Sequence, residues 1–139
     1  MARDCAVTLR PFHLAFPIRN IAEARAFWGG VIGCPEGRSA ANWVDFDFYG
    51  HQIVAHLSDA PGAESHNPVD GHDVPVPHFG VVLEMADWQA LADRLIAAGT
   101  EFIIEPHVRF AGQPGEQATL FLRDPSGNAI EMKAFADLA

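Results

Sequence analysis

One arrangement occurs twice along these 139 residues: a strand, then a helix, then further strands, on either side of a stretch with no hydrophobic period. That stretch, 58–77 (SDAPGAESHNPVDGHDVPVP), is dense in Pro, Gly, Asp, Asn and Ser and reads as a linker, with His66 and His72 as solvated loop residues. Before it, alternation predicts a strand over Phe12 to Ile18. A helix from Asn20 to about Ile32 follows, opened by an N-x-x-E capping box of Asn20 with Glu23 and carrying the apolar stripe Ile21, Ala24, Trp28 and Val31. After the looser segment Pro35 to Ala41 come strands Trp43 to Phe48 and Gln52 to Leu57, joined by a tight turn at Tyr49 and Gly50.

Beyond the linker the order returns. A strand is predicted over His78 to Glu84, then a helix over about Ala86 to Ala98 with Trp88, Leu91, Ala92, Leu95 and Ile96 on one face and Gly99 as its stop. Strands follow at Glu101 to Glu105, Gln117 to Arg123 and Asn128 to Ala134. Asp124-Pro125-Ser126-Gly127 between the last two has the residues a type I turn prefers. Aligning His13 with His78 brings the two helix starts into near register, the mark of an internal duplication. One half alone could not cover its own sheet, so the halves are expected to pair as a single domain, with modules at about 10–57 and 78–135.

Strand parity decides which side chains share a surface. Phe12, Leu14, Phe16 and Ile18 take the helix side of the first strand, leaving His13 opposite. Phe79, Val81 and Leu83 do the same in the second half, leaving His78 opposite. The same rule turns His56 and Glu131 away from the helices. If both sheets curve toward one concave side, His13, His56, His78 and Glu131 converge there. Two imidazoles and a carboxylate with adjacent positions open suit a divalent metal, notably non-haem Fe(II). The same four residues read equally as half-exposed polar positions on ordinary amphipathic strands.

Charge narrows the partners. Nine Lys plus Arg against eighteen Asp plus Glu gives a net charge of −9, which repels phosphate backbones and anionic membrane surfaces. No stretch approaches the roughly 18 consecutive apolar residues of a membrane span, and MARDCAVTLRPFHLAF lacks a basic segment followed by an apolar run. A cytoplasmic protein that binds neither nucleic acid nor membrane is expected. Cys5 and Cys34 are too few for a disulfide framework and read as reduced thiols, so a metal site would use imidazole and carboxylate ligands.

The segments FHLAFPI, PHFGVVLE and above all FLRDPSGNAIEM resemble the vicinal oxygen chelate superfamily, which includes glyoxalase I, extradiol dioxygenases, fosfomycin-resistance proteins and bleomycin-binding proteins. The resemblance covers about Pro11 to Phe135. It implies an α+β fold in which two βαβββ modules pair into a cup-shaped, partly open mixed β-sheet barrel with helices outside. It also implies a divalent metal held by His13, His78 and Glu131. WVDFDFYGHQIVAH and EPHVRFAGQPGEQATLFLRDPSGN look closest to small bacterial proteins labelled predicted extradiol dioxygenases.

By that resemblance the expected activity is extradiol-type ring cleavage of a small substrate with vicinal oxygens. Fe(II) is the preferred metal, with Mn, Zn or Ni as other candidates, and the expected assembly is a homodimer. The alternatives are a glyoxalase-like isomerase or lyase, and a metal-free drug-binding protein. His56, where glyoxalase relatives usually place a Glu ligand, is assigned acid/base work, with a ligand or wall role left open. Tyr49, the only tyrosine, reads as a turn residue, unlike the tyrosine of better-known ring-cleaving enzymes.

His107, Arg109, Glu116 and Gln117 flank the loop Phe110 to Gly115. Proton transfer by His107, and substrate contacts by Arg109 and Gln117, stand beside plain loop polarity as readings of these residues. Phe121 reads as a wall of the cup or as core.

Overall fold

The computed structural model describes residues 9–59, 65–69 and 71–137. In the first half, β1 (His13–Ile18) leads into α1 (Ile21–Ala24) and a π-helical continuation (Arg25–Val31), then β2 (Glu36–Ala40), β3 (Trp43–Phe48) and β4 (His51–Leu57). A hairpin follows, β5 (Ser65–Val69) with β6 (His72–Val76). The second half contains β7 (Val82–Leu83), α2 (Met85–Ala97), β8 (Phe102–Arg109), β9 (Gln117–Arg123) and β10 (Ala129–Phe135). The sheets have strand orders β1-β4-β3-β2 and β7-β10-β9-β8. In each, the first strand runs parallel to the last and the rest are antiparallel, so the duplication is topological as well as sequential. The architecture is α+β, with two mixed four-stranded sheets that do not close into a barrel.

Each helix covers one face of its sheet, and the two covered faces merge into one core. Phe16, Trp28, Val44, Phe46 and Ile53 of the first half belong to the same cluster as Trp88, Leu91, Leu95, Leu120, Ile130 and Met132 of the second. Phe79 is the link. Its ring stacks on Trp28 at 6.0 Å and 10°, and meets Phe16 at 5.5 Å and Phe48 at 6.5 Å. Buried aromatics of this kind contribute area burial plus about 0.5–1.5 kcal/mol per well-placed pair.

The Asp124–Gly127 turn adds polar stitches between the halves. Gly127 N–H donates to Asp124 O at 3.0 Å, closing the turn, while Trp28 Nε1 donates to Asp124 Oδ2 at 3.3 Å and Asn128 Nδ2 to Pro17 O at 2.8 Å.

Several local expectations are corrected, among them the looser segment Pro35 to Ala41, which contains β2. Within the expected linker 58–77, Ser65–Val69 and His72–Val76 pair as antiparallel strands; their prolines, Pro68 and Pro75, hid them, because proline in a strand is confined to edges and short ladders. Val74 of that hairpin is buried with Ile104, Phe121 and Ala129 against the helix-free face of the second sheet.

The first helix keeps its cap, with Glu23 N–H donating to Asn20 Oδ1 at 2.9 Å. Beyond Ala24 it widens, and Ile32 N–H reaches back five residues to Phe27 O at 2.8 Å. The wider turn shifts the apolar stripe by one residue, so Ile32 is buried while Val31 is only partly covered.

The strand expected from His78 to Glu84 is reduced to a bridge at Phe79 and two residues of β7. β8, by contrast, runs on to Arg109 through two register shifts.

Candidate metal and substrate site

The helix-free face of the second sheet gathers most of the candidate residues. Glu131 on β10 stands opposite Phe121 on β9, Gln117 opposite Arg109, and Thr119 opposite His107, so all six side chains share one surface. His78, just before the Phe79 bridge, joins them at the sheet edge, where its Nε2 lies 3.3 Å from Glu131 Oε1. Gly80 makes this approach possible: a Cβ there would fall 1.6 Å from the Glu131 carbonyl oxygen.

Both members of the pair are held from behind. His78 Nδ1 lies 2.7 Å from the carbonyl oxygen of Pro75. A carbonyl only accepts, so Nδ1 carries a proton, and Nε2, the nitrogen a metal ion would use, is turned toward Glu131. Thr119 Oγ1 donates to Glu131 Oε2 at 2.7 Å. The Phe121 ring meets the His78 ring edge-on at 4.6 Å and is buried, which joins the two earlier readings of it: it is both core and wall of the site. Two ligands side by side on one ion, with bonds of about 2.0–2.2 Å, stand about 3 Å apart, and the His78–Glu131 spacing fits this. Outer partners that fix tautomer and carboxylate orientation are what metal-ligating His and Glu ordinarily have.

His107 is exposed, its Nδ1 2.9 Å from the Glu105 carbonyl oxygen, so Nδ1 carries a proton there too. The Arg109 guanidinium lies 5.0 Å over the Phe110 ring, and Gln117 Nε2 donates to Gly115 O at 3.4 Å. Lys133, the chain's only lysine, shares this face between Glu131 and Phe135, with its ammonium 5.7 Å over the Phe135 ring.

His13 lies elsewhere. It is exposed on the helix-free face of the first sheet, beside Gln52, and among the described residues no group of three His, Cys, Asp or Glu side chains is arranged to hold a metal ion. His56 occupies the other end of that face, in register with Pro17 and Trp43. Four residues at about 3.3 Å each separate it along β4 from Gln52, so Gln52, not His56, is the β4 neighbour of His13.

Tyr49 holds the β3–β4 turn at φ 53° as expected. Burial pushes its phenol up, against the opposing effect of nearby Arg94. In the same small cavity of about 270 Å³, burial pushes the Cys34 thiol up to about 12, so it stays protonated and poorly nucleophilic. A larger cleft of about 600 Å³ runs between the first strands of the two halves, but its lining is mainly apolar and includes none of the candidate ligands.

Parity alone missed the groups that hold His78 and Glu131. Thr119 faces the same way as Gln117 and Phe121, but only the β9–β10 register puts it within reach of Glu131. The Pro75 carbonyl comes from a segment read as linker. No helix among the described residues is long and apolar enough to cross a membrane.

The chain is similar throughout its length to known proteins. It matches a crystal structure of a glyoxalase/bleomycin resistance protein/dioxygenase from Alicyclobacillus acidocaldarius at 33% identity and TM-score 0.73, over 91% of this chain and 92% of that one. The fosfomycin resistance protein FosX from Listeria monocytogenes shares the fold at 16% identity and TM-score 0.66, over 92% and 94%. A virulence protein from Salmonella typhimurium does so at 20% and 0.62, over 93% and 98%. No curated protein matches. The sequence profile described as Glyoxalase/Bleomycin resistance protein/Dioxygenase superfamily matches residues 10–132, and the chain belongs to that superfamily.

Proposed function

We propose that the protein is a metal-dependent enzyme acting on a small substrate with vicinal oxygens, and that it works as a homodimer in which His13 of one copy completes the His78–Glu131 pair of the other. The observation that carries this reading is the pair itself: an imidazole nitrogen and a carboxylate oxygen 3.3 Å apart, each anchored from behind, on the helix-free face of the second sheet. The exchange is supported by the separation of His13 from that pair within one chain. It is also supported by exposed apolar residues at the free edges of the two sheets, with Phe12 63% and Val82 48% exposed.

Two nitrogens and one carboxylate leave adjacent positions open, which suits Fe(II), and the same donors accept Mn, Zn or Ni. When bound, such an ion supplies Lewis acidity toward vicinal oxygens and, as Fe(II), electron exchange with dioxygen. The chain does the remainder. Thr119 and the Pro75 carbonyl hold the ligands, Phe121 walls the site, Arg109 and Gln117 hold the substrate, and His107 moves a proton through its Nε2. Extradiol ring cleavage is the reaction to test first.

One observation favours a second reading. Tyr49 sits in the Arg94 cavity, so the described part of the site face offers imidazole and carboxylate but no phenol. A glyoxalase-like isomerase or lyase needs only a base to shuttle a proton.

The test is metal analysis of anaerobically purified protein, followed by oxygen uptake with catechol. Near-stoichiometric iron that is lost in His78→Ala, together with oxygen uptake, supports ring cleavage. Zinc or nickel without uptake supports the isomerase, and ligand binding indifferent to chelator overturns the metal reading.

A further inference from the structure

We infer that Gln52 and Asp45 form a relay that sets the tautomer of His13 and presents its Nε2 to the open face of the first sheet. His13 Nδ1 lies 2.8 Å from Gln52 Oε1, and Gln52 Nε2 donates to Asp45 Oδ2 at 3.3 Å. The chemistry leaves one assignment. An ionised carboxylate accepts only, so the Gln52 group facing Asp45 is the NH2 and the group facing His13 is the amide oxygen. That oxygen also accepts only, so Nδ1 of His13 carries a proton, and in the neutral ring Nε2 is the bare nitrogen.

Backbone register builds the line. His13 is the direct β1 partner of Gln52, and Gln52 N–H donates to Phe12 O at 2.8 Å. Asp45 is the diagonal β3 neighbour of Gln52, within side-chain reach. The direct β3 partner, Asp47, is engaged otherwise, accepting from Gly50 N–H at 2.7 Å.

Asp45 bears the mark of a residue kept for this purpose. It is partly buried, its Oδ1 is shielded and has no hydrogen-bond partner among the described residues, and its Oδ2 lies where a Cβ on Gly37 would come within 3.2 Å. A shielded acceptor left unsatisfied is destabilising and calls for an explanation; holding the Gln52 amide supplies one. His78 directs its Nδ1 proton by a different route, to the Pro75 carbonyl. The two histidines at duplicated positions therefore both present Nε2. The use of this relay rests on the metal reading above, but the tautomer is a property of the chain alone.

Long-range ¹H–¹⁵N correlation spectra of the metal-free protein at alkaline pH test it. Wild-type His13 should show a protonated Nδ1 and a bare Nε2. Gln52→Leu should move His13 toward the Nε2–H form, Gln52→Glu should restore the wild-type tautomer, and Asp45→Leu should give a mixture as the amide turns. Unchanged Trp28 and Trp88 indole N–H signals, held in the core by Asp124 Oδ2 and the Met132 carbonyl, report an intact fold. An Nε2–H tautomer in wild type, or no response to Gln52→Leu, overturns the relay. In a parallel Zn(II) titration, Gln52→Leu should weaken binding by about 10–100-fold and Gln52→Glu should not. A tautomer change without that loss supports the relay and overturns the ligand role of His13.

Discussion

A Cβ on Gly80 would stand 1.6 Å from the carbonyl oxygen of Glu131. That carbonyl has little room to retreat, because Glu131 N–H is bound to Phe79 O at 2.9 Å. Gly80→Ala is expected to destabilise the fold by about 1–3 kcal/mol, which lowers Tm by about 3–10 °C for a chain of this size. Gly30 is the contrast: it is exposed on the first helix with nothing within 4 Å of its Cβ position. Gly30→Ala should raise stability by about 0.5–1 kcal/mol. Calorimetry on the two variants checks both, and an unchanged Tm in Gly80→Ala would show that the β7 edge yields easily.

Thr119 contributes one hydroxyl to Glu131 from a position that is 7% exposed. Thr119→Val keeps the shape and removes the donor. The expected outcome is a stability change of about 1 kcal/mol with a fall of about 10–100-fold in Zn(II) or Mn(II) affinity, read by titration calorimetry. Equal affinity in both proteins would mean that Glu131 does not depend on this hydroxyl.

Asp124 is 5% exposed, and burial raises its pKa, opposed by hydrogen bonds from Asn128, Trp28 and Ser126. A carboxyl whose folded pKa is raised binds its proton more tightly folded than unfolded. Its contribution is therefore most favourable below the unfolded value of about 3.9 and is lost as pH rises through the folded pKa. The stability of wild type relative to Asp124→Asn should shrink over that window. Urea unfolding at stepped pH measures it, and a gap that widens with pH would contradict the assignment.

Sharing of sites between copies has a stoichiometric signature. A dimer of one His13→Ala chain and one His78→Ala chain keeps one complete set of three ligands, although neither parent keeps any. Random co-assembly makes half the dimers mixed, each with one of two sites, so metal content should recover to about a quarter of wild type. No recovery would place His13 outside the site or the whole site within one chain.

The bounds of β3 and β9 were legible in the sequence to the residue, β3 by its strict alternation, and the Asp124–Gly127 turn declared itself by composition. Parity placed His78 and Glu131 on the face away from the helices, and the structure sets them 3.3 Å apart. Register is what parity lacks. Gln52 and His56 share a face of β4, and nothing local to either says which lies beside His13; the parallel ladder to β1 decides it. The β5–β6 pair escaped because its prolines mimic a linker. The π-helical turn escaped because one extra residue per loop of helix leaves composition unchanged.

Phe79 has a further consequence. Its ring closes an aromatic socket whose other walls, Phe16, Trp28 and Phe48, belong to the other copy of the repeat. Neither repeat can keep its interior dry by itself, so the duplication survives in topology but not in autonomy. A chain with two near-equal halves should melt once, as a single cooperative unit.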